Sequence, residues 1–104
     1  MDMNKLMQQA QEMQEQLQKV QEEAKNETVE ATAGGGMVTV TANGAGEIVE
    51  IKIAKEAIDP DDPEMLADLV LAAVNEALRS AQRLVESKVG PLMGGLGGLG
   101  LPGM

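Results

Sequence analysis

Between Met3 and Ala24 the apolar residues Met3, Leu6, Ala10, Met13, Leu17, Val20 and Ala24 recur at alternating steps of three and four. That is the heptad spacing of a stripe along one side of an α-helix. The intervening positions are mostly Gln, Glu and Lys, with no Gly or Pro, so the pattern predicts a long first helix ending near Asn26. From Thr28 to Ala33 the period changes to two: Val29, Ala31 and Ala33 share one face and Thr28, Glu30 and Thr32 the other, as in a half-buried strand. Gly34-Gly35-Gly36 reads as a turn, and Met37 to Ala42 as a second strand. Asn43-Gly44-Ala45-Gly46 reads as a hairpin turn, because Asn and Gly tolerate the positive φ such turns need. Glu47 to Ile53 is a third strand with Val49, Ile51 and Ile53 together. The expected sheet is a three-stranded antiparallel meander.

A second long helix is predicted after Asp59-Pro60-Asp61-Asp62-Pro63. Asp62 suits the N-cap, Pro63 the first helical position, and Glu64 the positive end of the helix dipole. Apolar residues from Met65 through Val85 form a wide stripe, and Gly90-Pro91 is expected to stop the helix. The organisation is therefore α+β, in the order α-β-β-β-α: one folded domain over 1–90 and a flexible Gly/Leu-rich tail over 91–104. Lengths add a further expectation. A helix of about 24 residues spans roughly 36 Å, whereas three strands side by side cover only about 14 Å. Each helix overhangs the sheet, and the overhanging apolar stripe needs a second chain to cover it.

Composition narrows the function. In 104 residues there is no cysteine, so no disulfide or cysteine-ligated metal site supports the fold, and a reducing cytoplasm fits. The first residues lack the basic start and unbroken apolar stretch of a secretory signal, and glycines interrupt the uncharged tail, so a soluble protein without a membrane span is expected. His, Phe, Tyr and Trp are also absent, which removes the commonest general base near neutral pH and aromatic stacking on bases. A net charge of −9 repels a phosphate backbone at long range.

Few residues carry candidate chemistry. Asp59, Asp61 and Asp62 resemble part of a cation site, yet the glycine and closing glutamate of an EF-hand loop are missing, and helix capping accounts for them. Gly34-Gly35-Gly36 lacks the Lys-Ser/Thr and helix start of a phosphate-binding loop, so a turn is the reading. Ser80 and Ser87 have no histidine to activate them. Met3, Met7 and Met13 make either an adaptable groove or ordinary packing. No enzyme, cofactor, metal or small-molecule substrate is expected.

The run Asn43-Gly44-Ala45-Gly46-Glu47, then Ile58-Asp59-Pro60-Asp61-Asp62-Pro63-Glu64-Met65-Leu66-Ala67-Asp68-Leu69, then Ala72-Ala73-Val74-Asn75-Glu76-Ala77, resembles the bacterial YbaB/EbfC family of nucleoid-associated proteins. The Met- and Gln-rich first helix and the Gly-Leu-Pro tail match its general pattern, so the resemblance covers nearly the whole chain. It implies a tweezer-like homodimer with joined sheets and projecting helices, and cytoplasmic, nucleoid-located binding of double-stranded DNA with little sequence preference. Phosphate contacts would then fall to Arg79, Arg83 and Lys88 on the second helix and to Lys5, Lys19 and Lys25 on the first. The plainer reading of Arg79 and Arg83 is that bases near the end of a helix complement its dipole. Leu6, Met13, Leu17 and Val20 are the candidate dimer seam. An alternative role is that of an acidic dimeric interaction protein that presents its Glu- and Gln-rich surface, or the tail with Leu96, Leu99 and Leu101, to another protein.

Overall fold

The structure, a computed structural model, describes residues 2–97. Helix α1 spans Met3–Asn26, strands β1, β2 and β3 span Thr28–Ala33, Val38–Asn43 and Ile48–Ile53, and helix α2 spans Pro63–Gly97, with a short 3₁₀ turn at Lys55–Ala57 between β3 and α2. The sheet order is β1-β2-β3, both pairs antiparallel. This is the α-β-β-β-α order and the meander that periodicity predicts.

Local chemistry explains the boundaries. Asp2 caps α1, its Oδ1 accepting from the Asn4 amide at 3.1 Å, and Asp62 caps α2 by accepting from the Met65 amide at 3.1 Å. Asp59 Oδ1 accepts from the Asp61 amide at 2.9 Å, so these acids hold the loop that launches α2. The β1–β2 turn needs its glycines: Gly34, Gly35 and Gly36 have φ of 65°, 68° and 94°, left-handed values that side chains disfavour.

The Asn43–Gly46 hairpin turn forms where it is expected, with positive φ at Gly46 alone among its residues, at 80°. Asn43 is buried and organises the turn through its amide. Its Oδ1 accepts from the Ala45 and Glu47 amides at 3.0 and 3.1 Å, and its Nδ2 donates to Glu47 Oε1 at 3.1 Å. Gly44 is required by crowding, as described below. One expectation is corrected: α2 does not stop at Gly90-Pro91 but passes through to Gly97. Pro91 removes the hydrogen bond to the Ser87 carbonyl, and at that exposed position water can take its place. The tail residues 98–104 lie outside the described residues.

The core lies between the sheet and α2. Val38, Val40 and Ala42 of β2 and Ala31 of β1 meet Ala73, Ala77 and Ala81 of α2, with Leu66, Leu69 and Val70 around them. Among the described residues, the nine buried apolar ones are seven alanines and two valines. Larger apolar side chains lie outside. Val49, Ile51 and Ile53 of β3, Ile58, and Leu71 and Leu78 of α2 are exposed, as are Met3 at 73% and Met7 at 61%. β3 is open because α2 lies over β1 and β2. Ile51 and Ile53 pair with Val40 and Val38, so they point to the helix side of the sheet without a helix above them. A bulge between Thr41 and Ala42 inserts Val49 as the unpaired residue of β3.

Candidate functional site

Arg79 and Arg83 stand on α2 with 60% and 61% of their side chains exposed. Both converge on Glu76. Arg79 Nε donates to Glu76 Oε2 at 3.1 Å, and Arg83 Nη2 donates to Glu76 Oε1 at 2.9 Å and to Ser80 Oγ at 3.0 Å. The hydrogen bond from Arg83, followed by that from Arg79, holds the Glu76 carboxyl below its ordinary value. The sign follows from that direction: the cluster's contribution is present at neutral pH and is lost as the pH falls through the lowered value. Two guanidiniums and one carboxylate leave the cluster with an excess of one positive charge, displayed to solvent.

The length of α2 changes what these arginines are for. Arg83 lies fourteen residues before Gly97, and the last turn of the helix contains no base. The dipole effect falls off within the last turn, so complementing the dipole does not account for an arginine pair in the middle of a helix. What holds them is Glu76, three residues before Arg79 and seven before Arg83, on the same face. That spacing is legible in the sequence, and Glu76 is the partner that the dipole reading overlooks.

The other bases are dispersed. Lys5, Lys19 and Lys25 are exposed along α1. Lys88 faces inward: only 20% of its side chain is exposed, and its Nζ lies 2.7 Å from Glu27 Oε1 and 4.0 Å from Glu23 Oε2 on α1. The structure thus brings Arg79 and Arg83 together and sets Lys88 apart from them in an interhelical ion pair. Of the candidate seam residues, Leu6 is exposed and Met13, Leu17 and Val20 are half-buried along α1, which packs against α2. A shallow groove of about 520 Å³ separates the Gly44–Gly46 turn from Leu78, Gln82, Val85 and Glu86 of α2. Among the described residues there is no cluster of three or more groups able to hold a metal, and no helix is long and apolar enough to cross a membrane.

Where α1 ends, backbone meets backbone. The Gly44 amide donates to the carbonyl of Ala24 at 2.8 Å and to that of Glu27 at 3.2 Å. A β-carbon on Gly44 would stand 2.5 Å from the Ala24 oxygen and 2.6 Å from the Ala24 side chain. Here glycine is the residue that lets the end of a helix sit directly on a hairpin turn.

The α-β-β-β-α body carries charged residues on exposed helices and leaves large apolar side chains outside its core. The chain belongs to the YbaB/EbfC DNA-binding family, whose model matches residues 1–96. That is a family of DNA-binding proteins and not of enzymes. The chain is 55% identical over 103 residues to a nucleoid-associated protein of Acetivibrio thermocellus, covering 99% of this chain and 89% of that one. It is 56% identical over 99 residues to one of Chloroflexus aurantiacus, covering 95% and 99%. Its fold matches the crystal structure of an uncharacterized protein from Helicobacter pylori at a TM-score of 0.78, with 24% identity, covering 89% of this chain and 98% of the other.

Proposed function

We propose that this protein is a nucleoid-associated homodimer of the cytoplasm that binds duplex DNA through its phosphates with little sequence preference, and so affects nucleoid organisation and gene expression. The family membership supports DNA as the partner. The observation that carries the mode of binding is the Arg79–Arg83 pair, exposed in mid-helix with a net positive charge. Against a net charge of −9, only such a local concentration of guanidinium can hold a phosphate. Lys5, Lys19 and Lys25 add scattered contacts along α1. With no aromatic side chain in the protein, base stacking contributes nothing, and backbone contacts carry no sequence information.

Dimerisation is supported by the distribution of apolar volume. A core of alanines and two valines buries little, while Ile51, Ile53, Leu71 and Leu78 face solvent. A second copy of the chain is the occupant of that face, with Leu6, Met13, Leu17 and Val20 of α1 extending the contact. An apolar face shared by two identical chains is self-complementary under two-fold symmetry, whereas acidic surfaces of this charge repel each other.

A salt series with duplex DNA tests the reading. The logarithm of affinity is expected to fall linearly with the logarithm of salt, at a slope of about −0.9 per phosphate contact, alike for random and chosen sequences. Arg79→Ala with Arg83→Ala is expected to flatten the slope by about two units. An unchanged slope removes these arginines from the interface. No binding by the unaltered dimer at low salt favours the second reading, an acidic interaction protein, which the net charge and the run of acids from Glu56 to Asp68 support.

A further inference from the structure

We propose that Lys88 is a positioning residue, an electrostatic latch that fixes the direction in which the α1 arm leaves the sheet, and not a phosphate contact. Its ammonium lies 2.7 Å from Glu27 and 4.0 Å from Glu23, two carboxylates four residues apart on one face at the end of α1. It is two-thirds less exposed than Arg79 or Arg83, at 20% against 60% and 61%, and it points between the helices. Glu27 is the C-cap of α1, so the cation also stands where the carbonyl end of that helix is negative.

The same few residues are held a second time. The Gly44 amide bonds the carbonyls of Ala24 and Glu27, at a distance that leaves no room for a side chain. Backbone and side chain therefore grip α1 at one end. Ala24 is the only fully buried residue of α1, and every residue of α1 before Met13 is exposed. The molecule measures 70 × 30 × 16 Å, an elongation to which both α1 and the 35-residue α2 contribute. For a helix of about 36 Å, a 10° change at the base moves the tip by about 6 Å. Gly44 supplies a pivot and Lys88 sets the angle. The consequence for DNA rests on the function proposed above, because Lys5 and Lys19 ride on this arm; the latch itself does not.

Because the chain has no cysteine, two can be introduced for spin labels, Gln9→Cys on α1 and Thr32→Cys on β1. Labelled chain is mixed with excess unlabelled chain so that distances within one chain are read, without DNA. The expected result is a narrow distance distribution that broadens in Lys88→Met, persists in Lys88→Arg, and is restored when Lys88→Glu is combined with Glu27→Lys. Glu27→Gln, which keeps the lysine, is expected to broaden it in part, and helix content by circular dichroism checks that each variant folds. An unaltered distribution in Lys88→Met, or a swap that restores nothing, overturns the proposal. In the salt series, Lys88→Met is expected to weaken DNA binding several-fold at an unchanged slope. A slope flattened by about 0.9 identifies a direct phosphate contact and also overturns it. If the unaltered protein binds no DNA, the proposed function fails while the distance measurement still decides the latch.

Discussion

Replacing Gly44 by alanine is expected to lower stability by about 3 kcal/mol, at the upper end of what overpacking does, and to lower Tm by roughly 15 °C for a domain of this size. The added β-carbon meets the oxygen, the carbonyl carbon and the β-carbon of Ala24 at 2.5 to 2.8 Å. None of these can swing aside, because two belong to the backbone of a helix and the third is fixed to it. Relief requires the end of α1 to move off the turn, and both hydrogen bonds from the Gly44 amide would lengthen. Thermal unfolding by circular dichroism reads the outcome. A Tm within 3 °C of the parent would mean that α1 does not rest on the turn in solution. Gly35→Ala is the useful contrast: no atom lies within 4 Å of its added carbon, so its φ of 68° is its only difficulty.

The second large effect is expected on assembly. Ile51→Lys with Ile53→Lys places two charges on the open face of β3. In the single chain both positions already face solvent, so the folded monomer is expected to change by less than about 0.5 kcal/mol. In the proposed dimer the same charges are buried without partners. A penalty of about 4 kcal/mol corresponds to roughly a thousandfold weaker association. Sedimentation or light scattering at micromolar concentration is expected to give twice the chain mass for the parent and the chain mass for the double variant. A parent of single-chain mass would end the dimer reading, and a double variant that stays paired would move the interface elsewhere. Leu17→Asp is expected to weaken the dimer as well, through the α1 seam.

How far the sequence carried this picture depended on the range of the cause. The heptad stripe of α1, the alternation in β1 and the Asp62 cap are made by residues within a turn or two of each other, and each is where periodicity predicts. The open face of β3 is not local. Val49, Ile51 and Ile53 alternate like the inner face of any strand, and only the placement of α2 over β1 and β2 leaves them bare. Gly44 looks like a turn glycine, because the helix end that crowds it lies twenty residues earlier in the chain. Gly90-Pro91 looks like a stop, and a helix continues through it where solvent can donate to the orphaned carbonyl. That misplaced end made Arg79 and Arg83 look like dipole partners. Lys88, adjacent to nothing acidic but Glu86 along α2, gave no sign of carboxylates sixty residues away.

The alanines of α2 act as a spacer. Ala73, Ala77 and Ala81 set the gap between helix and sheet to the thickness of single methyl groups against valine, and a packed interior does not stretch to admit more. That gap is a shared dimension for both sides of the helix: it fixes the height of Arg79 and Arg83 above the body and that of the exposed Leu71 and Leu78. Enlarging any one of the three would tilt or lift α2 as a rigid rod and displace both surfaces together. Substitutions at these small residues therefore reach the charged surface and the apolar one alike, although all three lie buried in the core.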